Sequence, residues 1–262
     1  IPVVDRPVIQ YAVEELVRAG VTNICIVTSQ GKEAVTDHFG RNAKLESALE
    51  ASGKTDLLHE IRRLHELGDI YSVRQNEPLG LGHAVWVARD HVENEPFVVL
   101  LPDELFDPRG NFLGSMLESF ANTGKSVVAV HEVPRETIKL YGSIDPIDQD
   151  EDPMRVRGVV EKPDPAEAPS NLALSGRYVL VPEVFDILAK LDSGAGGEIQ
   201  LADALGILAA RDELMAQRYA GRKWDVGTKD GYLQAVVTLG AEDPDLGPRF
   251  AEFLRDFTPP GE

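Results

Sequence analysis

Cysteine is nearly absent from this chain. Cys25 is the only one in 262 residues, so no disulfide can form within it. It lies in the apolar run Ile24-Cys25-Ile26-Val27, reads as buried, and suits a reducing cytoplasm. Basic residues are also in short supply, with 26 Lys and Arg against 44 Asp and Glu and a formal net charge of -18. That balance argues against nucleic acid and anionic membrane surfaces, both of which reward cations. A nucleotide ligand is still allowed, because a metal ion and a few local cations can offset phosphate charge. No apolar stretch approaches the ~20 residues of a membrane span, and no signal peptide is visible. The six histidines show no zinc spacing. No Ser/His/Asp order stands out either, so covalent nucleophilic catalysis lacks a candidate.

An opening strand is missing too. Ile1-Pro2-Val3-Val4-Asp5-Arg6-Pro7 leads almost directly into a helical pattern, whereas doubly wound folds begin with a strand and a phosphate-binding turn. Either the fold is of another kind or a leading segment belongs ahead of Ile1.

The chain that follows alternates strand and helix, which favours a parallel α/β sheet. Helical spacing over Val8 to Ala19 ends at Gly20, and Val21 to Thr28 reads as a strand. Two amphipathic helices broken near Gly53 fill Asn42 to Leu67, and Asp69 to Arg74 is a strand. A short helical piece is expected over Gly31 to Phe39 and a helix over His83 to Arg89. The run Phe97-Val98-Val99-Leu100-Leu101 reads as a strand buried on both faces, as in parallel sheets. Beyond about residue 140, strand-like runs at Gly142–Ile147, Val156–Glu161 and Leu172–Val181 follow one another without long helices, suggesting antiparallel additions. Helices return at Pro182–Lys190, Glu198–Ala210, Lys229–Leu239 and Leu246–Phe257.

Chemistry can enter at four places. Asp103 follows Pro102 at the carboxyl end of a strand, where open α/β sheets bind ligands. It is either a turn or N-cap residue or a ligand for Mg²⁺, which needs only one or two protein carboxylates. Gln75 opens the loop Gln75-Asn76-Glu77-Pro78-Leu79-Gly80-Leu81-Gly82, and its amide suits the edge of a pyrimidine. Glycines there permit close backbone approach and the helix start at His83 offers N–H groups, although a plain turn explains the loop as well. Val159-Val160-Glu161-Lys162-Pro163 ends a strand in adjacent opposite charges, which strand alternation would point to opposite faces. A carboxylate can accept sugar hydroxyls and a lysine can hold phosphate; a solvated charge pair is the alternative. Lys223-Trp224-Asp225-Val226-Gly227-Thr228 places Asp225 as a second metal ligand or as a helix cap. Glu198, after Gly194-Ala195-Gly196-Gly197, reads as a structural acid at a helix start, and Gly142 after Tyr141 as a turn or an open backbone position.

Taken together, the ordered pieces resemble the sugar-nucleotide pyrophosphorylases. They are Pro2-Val3-Val4-Asp5-Arg6-Pro7-Val8-Ile9-Gln10-Tyr11, Gly80-Leu81-Gly82-His83-Ala84, Leu101-Pro102-Asp103, Val160-Glu161-Lys162-Pro163, Pro169-Ser170-Asn171-Leu172-Ala173, Gly176-Arg177-Tyr178, Glu198-Ile199-Gln200-Leu201 and Gly231-Tyr232. The Gly-Leu-Gly-His-Ala and Glu-Ile-Gln-Leu pieces look like the uridylyltransferase branch. The resemblance implies one Rossmann-like nucleotidyltransferase domain over 1–262, α/β, with a mixed, mostly parallel central sheet flanked by helices and a small antiparallel addition. Its sugar-binding half would cover roughly 140–228 and its C-terminal helices 229–257.

The implied reaction joins UTP and glucose 1-phosphate into UDP-glucose and pyrophosphate with magnesium as cofactor. By the same resemblance Gln75 and the Gly80 backbone would read uracil, Asp103 would hold Mg²⁺ and Asp225 would help. Glu161 and Gly142 would bind glucose hydroxyls and Lys162 the sugar phosphate. A homo-oligomer is implied. The family's opening strand and basic Gly-rich triphosphate turn are expected ahead of Ile1. Rival readings are a thymidylyltransferase or other pyrophosphorylase and, if that turn is truly absent, a non-catalytic sugar-nucleotide binding protein. A metal-dependent glycosyltransferase would want Asp-x-Asp where Asp103-Glu104-Leu105 stands.

Overall fold

The computed structural model describes residues 1–192 and 197–258, so Gly194, Ala195 and Gly196 of the glycine run lie outside the described residues. The described residues divide into two compact units. One comprises Ile1–Ala12, Leu101–Gly110 and the described part of Gly221–Glu262; the other comprises Val13–Leu100 and the described part of Asn111–Ala220.

In the first unit, strand Glu104–Phe106 pairs antiparallel with Lys223–Asp225, setting Asp225 opposite Glu104. Its core gathers Val3, Tyr11, Leu105, Trp224, Val226 and Ala235. Burying Tyr11 requires a partner for its hydroxyl, which donates to the Val3 carbonyl at 3.1 Å. Helix Lys229–Glu242 begins at Thr228, whose side chain accepts the Gly231 N–H at 3.1 Å. Helix Gly247–Asp256 follows, leaving Phe253 and Phe257 exposed.

The second unit is built on a six-stranded sheet. Its order is Phe97–Leu100, Leu172–Leu180, Ser126–Glu132, Leu214–Arg218, Met154–Glu161 and Gly142–Pro146. The expected mostly parallel sheet is corrected here: in this sheet only Leu214–Arg218 against Ser126–Glu132 runs parallel. The cause lies in the connections, because Met154–Glu161 folds straight back on Gly142–Pro146 as a hairpin and Leu172–Leu180 returns against Ser126–Glu132. A separate parallel pair, Asn23–Thr28 with Asp69–Arg74, keeps the α/β grammar of the early chain. Phe97–Leu100 also departs from expectation. It is half-buried, and its partner among the described residues is the antiparallel Leu172–Leu180. An apolar run reports burial but carries no information on strand direction.

Leu172–Leu180 is buried along its whole length. Its register against Ser126–Glu132 shifts between Leu174 and Tyr178, where Gly176 takes φ +42, a β-bulge of the kind glycine permits. The next residue, Arg177, is 1% exposed and would be costly without a counter-charge. Glu15 supplies one in a two-pronged bond, 3.0 Å from Nε and 2.7 Å from Nη2. The helix pair around Gly53 forms as Ala43–Ala51 and Thr55–His65, with Asn42 accepting the Leu45 N–H.

Candidate active-site residues

Asp103 stands in the turn that leads into Glu104–Phe106, so the N-cap reading is excluded and the turn reading holds. Its backbone carbonyl accepts the Val226 N–H at 2.8 Å, which draws the turn beside the Asp225 segment. Asp225 is not the helix cap either, since Thr228 fills that position. Instead Asp225 Oδ1 accepts the Gly227 N–H at 3.0 Å.

Both carboxylates flank Gly227. A Cβ on that residue would lie 3.1 Å from Asp225 Oδ1 and 3.9 Å from Asp103 Oδ2. Asp103 keeps much of its surface open to water, yet protein packed around its carboxyl raises its pKa. Burial is the largest cause, and the negative charges of Glu104 and Asp225 add to it. Glu104 has a cation of its own, the Lys223 ammonium, in a close ion pair. Two carboxylates on either side of one glycine are hard oxygen donors of the kind a hard divalent cation takes. Among the described residues no group of three or more His, Cys, Asp or Glu forms a metal cluster.

The other candidates belong to the second unit. Gln75 follows strand Asp69–Arg74, where its N–H donates to the Thr28 carbonyl at 2.8 Å. Its side-chain nitrogen donates to the Gly80 carbonyl at 3.1 Å and lies 3.0 Å from His83 Nδ1. Gly80 takes φ +100, a conformation side chains rarely adopt, and a Cβ there would collide with the Ile199 carbonyl at 2.7 Å. The Gly80 N–H makes no backbone hydrogen bond among the described residues. The adjacent helix is Leu81–Val87, and its Gly82 N–H already donates to Ile199, which narrows the expected set of open N–H groups. Helix Leu201–Ala210 begins later than expected. Glu198 therefore precedes it and accepts from Gln200 Nε2 at 2.8 Å.

Gly142 and Glu161 are cross-strand partners in the hairpin. A Cβ on Gly142 would meet Leu174 Cδ1 at 2.8 Å and Glu161 Oε2 at 3.2 Å, so only a glycine fits between Leu174 and the carboxylate. Strand alternation does not require Glu161 and Lys162 to pair, but they do, as the charge-pair alternative expects. The Lys162 ammonium lies 3.3 Å from Glu161 Oε1. The reason is backbone: Lys162 has φ +45, a left-handed conformation that ends the strand and breaks the alternation. Its N–H donates to the Tyr141 carbonyl at 3.0 Å, fixing that turn. Lys162 is largely exposed, whereas the Glu161 side chain is 26% exposed. His83 is the residue that sequence reasoning set aside; the only signal for it was its place in Gly80-Leu81-Gly82-His83-Ala84.

Comparison with known proteins gives a consistent result. The nucleotidyl transferase family model matches residues 1–242. A UTP–glucose-1-phosphate uridylyltransferase of Staphylococcus saprophyticus is 42% identical over 255 residues, which is 97% of this chain and 88% of that protein. The protein of that name from Bacillus subtilis is 41% identical over 254 residues, 97% of this chain and 87% of its own. A UTP-bound UGPase structure from Acinetobacter baumannii superposes with a TM-score of 0.90 at 38% identity, covering 98% of this chain and 90% of that one. The chain belongs to the nucleotidyl transferase family, within the group of UTP–glucose-1-phosphate uridylyltransferases.

Proposed function

We propose that this chain converts UTP and glucose 1-phosphate into UDP-glucose and pyrophosphate, and that the seven residues described above divide the work. The observation that carries the residue assignment is the end of the sugar hairpin. There a carboxylate holds one oxygen against Lys162 and the other beside Gly142, which brings no side chain of its own. A sugar phosphate presents the matching chemistry, with hydroxyl donors for Glu161 and an anion for Lys162.

Gln75 and the Gly80 backbone take the uracil edge. Asp103 and Asp225 would hold Mg²⁺, which when bound would supply charge neutralisation and a template for the triphosphate. Lys162 steadies the glucose 1-phosphate oxygen against the α-phosphorus. That oxygen is already ionised, so no side chain has to remove a proton; the new P–O bond forms in line as the bond to the departing pyrophosphate breaks. Catalysis of this kind rests on position and charge.

The same reading takes 1–262 as one nucleotidyltransferase domain with a sugar-binding half at roughly 140–228, acting in the cytoplasm as a homo-oligomer. No described helix is long and apolar enough to cross a membrane. Pyrophosphate release measured with UTP or dTTP against a panel of sugar 1-phosphates tests the proposal. UTP with glucose 1-phosphate should give the highest kcat/KM. A preference for dTTP would transfer the chain to the thymidylyl branch, and sugar-nucleotide binding without turnover would make it a binding protein.

A further inference from the structure

His83 has no task in the reaction as proposed, yet it is in direct contact with the residue assigned to the base. The contact fixes more than a distance. A backbone carbonyl can only accept, so the bond to Gly80 at 3.1 Å identifies the inward end of the Gln75 amide as Nε2. That nitrogen has two hydrogens and no acceptor capacity, so its second contact, His83 Nδ1 at 3.0 Å, must be the accepting partner. His83 is then neutral, with its proton on Nε2. Its ring is held in place by a stacked contact on Trp86, at 6.1 Å between centroids and 22° between planes. The Arg89 guanidinium covers Trp86 in turn, 3.7 Å from the ring centroid.

One consequence concerns which base the amide can read. With both amide hydrogens spent on Gly80 and His83, Gln75 has only Oε1 to offer a ligand. An acceptor of this kind pairs with the N3–H of uracil or thymine and opposes the bare N3 of cytosine. The Gly80 bond alone would leave the second amide hydrogen available to cytosine N3. We propose that His83 is a positioning residue for base selectivity: as a neutral acceptor it makes Gln75 acceptor-only and so disfavours CTP. The proposal rests on the reading that Gln75 faces the base.

Three variants and one spectrum test it. His83→Phe keeps a ring against Trp86 and removes the acceptor. Its KM for UTP should rise about fivefold, the worth of one hydrogen bond, with a smaller change in kcat. Its preference for UTP over CTP should fall by a similar factor. His83→Asn restores an oxygen where Nδ1 stood and should return both values to within about twofold of the parent. Gln75→Leu separates the two readings. If it leaves the KM for UTP and the UTP-over-CTP ratio unchanged, the base assignment fails and this inference fails with it. If it changes them while His83→Phe does not, or if Asn and Phe behave alike at position 83, the role of His83 is overturned and Gln75 keeps its own. Nitrogen NMR of the unmodified protein gives a readout that depends on no variant folding. A neutral ring bearing its hydrogen on Nε2 is expected, and a hydrogen on Nδ1 would overturn the proposal.

Discussion

Asp103 and Asp225 bring like charges together in one unit, whereas Glu161 and Lys162 bring opposite charges together in the other. The charges acting on Asp103, those of Glu104 and Asp225, are both negative, and its own ionisation is opposed first by burial. Backbone hydrogen bonds at Asp103 and Glu104 relieve part of this local cost, and among the described residues no cation figures among its causes. At the hairpin end, Glu161 already has its cation at 3.3 Å, and its second oxygen lies beside Gly142, where Leu174 packs too closely for a side chain. The first arrangement is suited to recruiting a cation from solution. The second is suited to a ligand that carries both donors and an anion, because such a ligand can exchange with each half of the pair. Sites that are destabilised alone and completed by ligand are a common form of preorganisation.

The sharpest way to break the contrast is Asp103→Asn. It removes the charge that the proposed function assigns to the metal and should lower kcat by about 10³, in the range seen when a key electrostatic group is lost. The fold should survive, because the substitution also removes repulsion with Glu104 and Asp225. Pyrophosphate release at saturating substrates, followed beside a thermal melt, checks both halves. Near-parent Mg²⁺-dependent turnover would end the metal assignment.

Lys162→Ala attacks the other arrangement. The KM for glucose 1-phosphate should rise about tenfold through loss of a charge-assisted contact, while the KM for UTP stays near its parent value. Equal effects on both substrates would mean that Lys162 serves the triphosphate. Gly142→Ala acts on the same place through shape. Its new Cβ would press on Leu174 Cδ1 at 2.8 Å and on Glu161 Oε2 at 3.2 Å. The leucine methyl can yield, so a loss of about 1–2 kcal/mol in stability is expected. The sugar KM should rise by less than in Lys162→Ala, and calorimetry with steady-state kinetics separates the two effects.

Much of this contrast was legible before any coordinates. Gln75, Gly80, Glu161, Lys162, Asp103 and Asp225 all stand at element ends in the sequence pattern, and strand Asp69–Arg74 falls on the expected residues. What escaped has physical causes. Leu214–Arg218 lies inside the sheet, yet Leu-Met-Ala-Gln-Arg has no β-branched or aromatic residue to mark a strand. Glu104–Phe106 and Lys223–Asp225 are too short to show a period, although their pairing is what brings the two acids together. The turn of Lys162 toward Glu161 depends on one dihedral angle, which no spacing rule reports. The bond between Gln75 and His83 likewise exists only once the loop has folded.

Acid titration sharpens the first half of the comparison. Burial and neighbouring negative charge raise the pKa of Asp103 in the folded chain. The native state therefore binds this proton more tightly than the unfolded state does. Its stabilising effect is fully present below the ordinary carboxylate pKa and is lost as pH rises through the raised value. With no divalent cation present, this group should lower the melting temperature across the acid range, from about pH 4 upward. Asp103→Asn should show a flatter slope there. Added Mg²⁺ should raise the melting temperature at neutral pH and progressively lose that effect in acid, as protons compete for the carboxylates. A calorimetric series with and without the ion reads both trends, and a Mg²⁺ effect independent of pH would place its binding elsewhere.

The smallest effect isolates the backbone half of the hairpin end. Lys162 adopts φ +45, where any side chain with a Cβ is strained, so replacing it tests conformation as well as charge. Lys162→Ala and Lys162→Gly both lose the contact with Glu161, and that loss cancels between them. Glycine occupies the left-handed region without steric cost, although it gives the unfolded chain more freedom. The first effect should win, leaving Lys162→Gly more stable than Lys162→Ala by about 1 kcal/mol in urea titration. Their KM values for glucose 1-phosphate should agree, since neither carries the ammonium. Equal stabilities would mean that the turn relaxes once the lysine is gone. In that case the ion pair would hold the backbone in its left-handed form, and the Tyr141 hydrogen bond would not suffice.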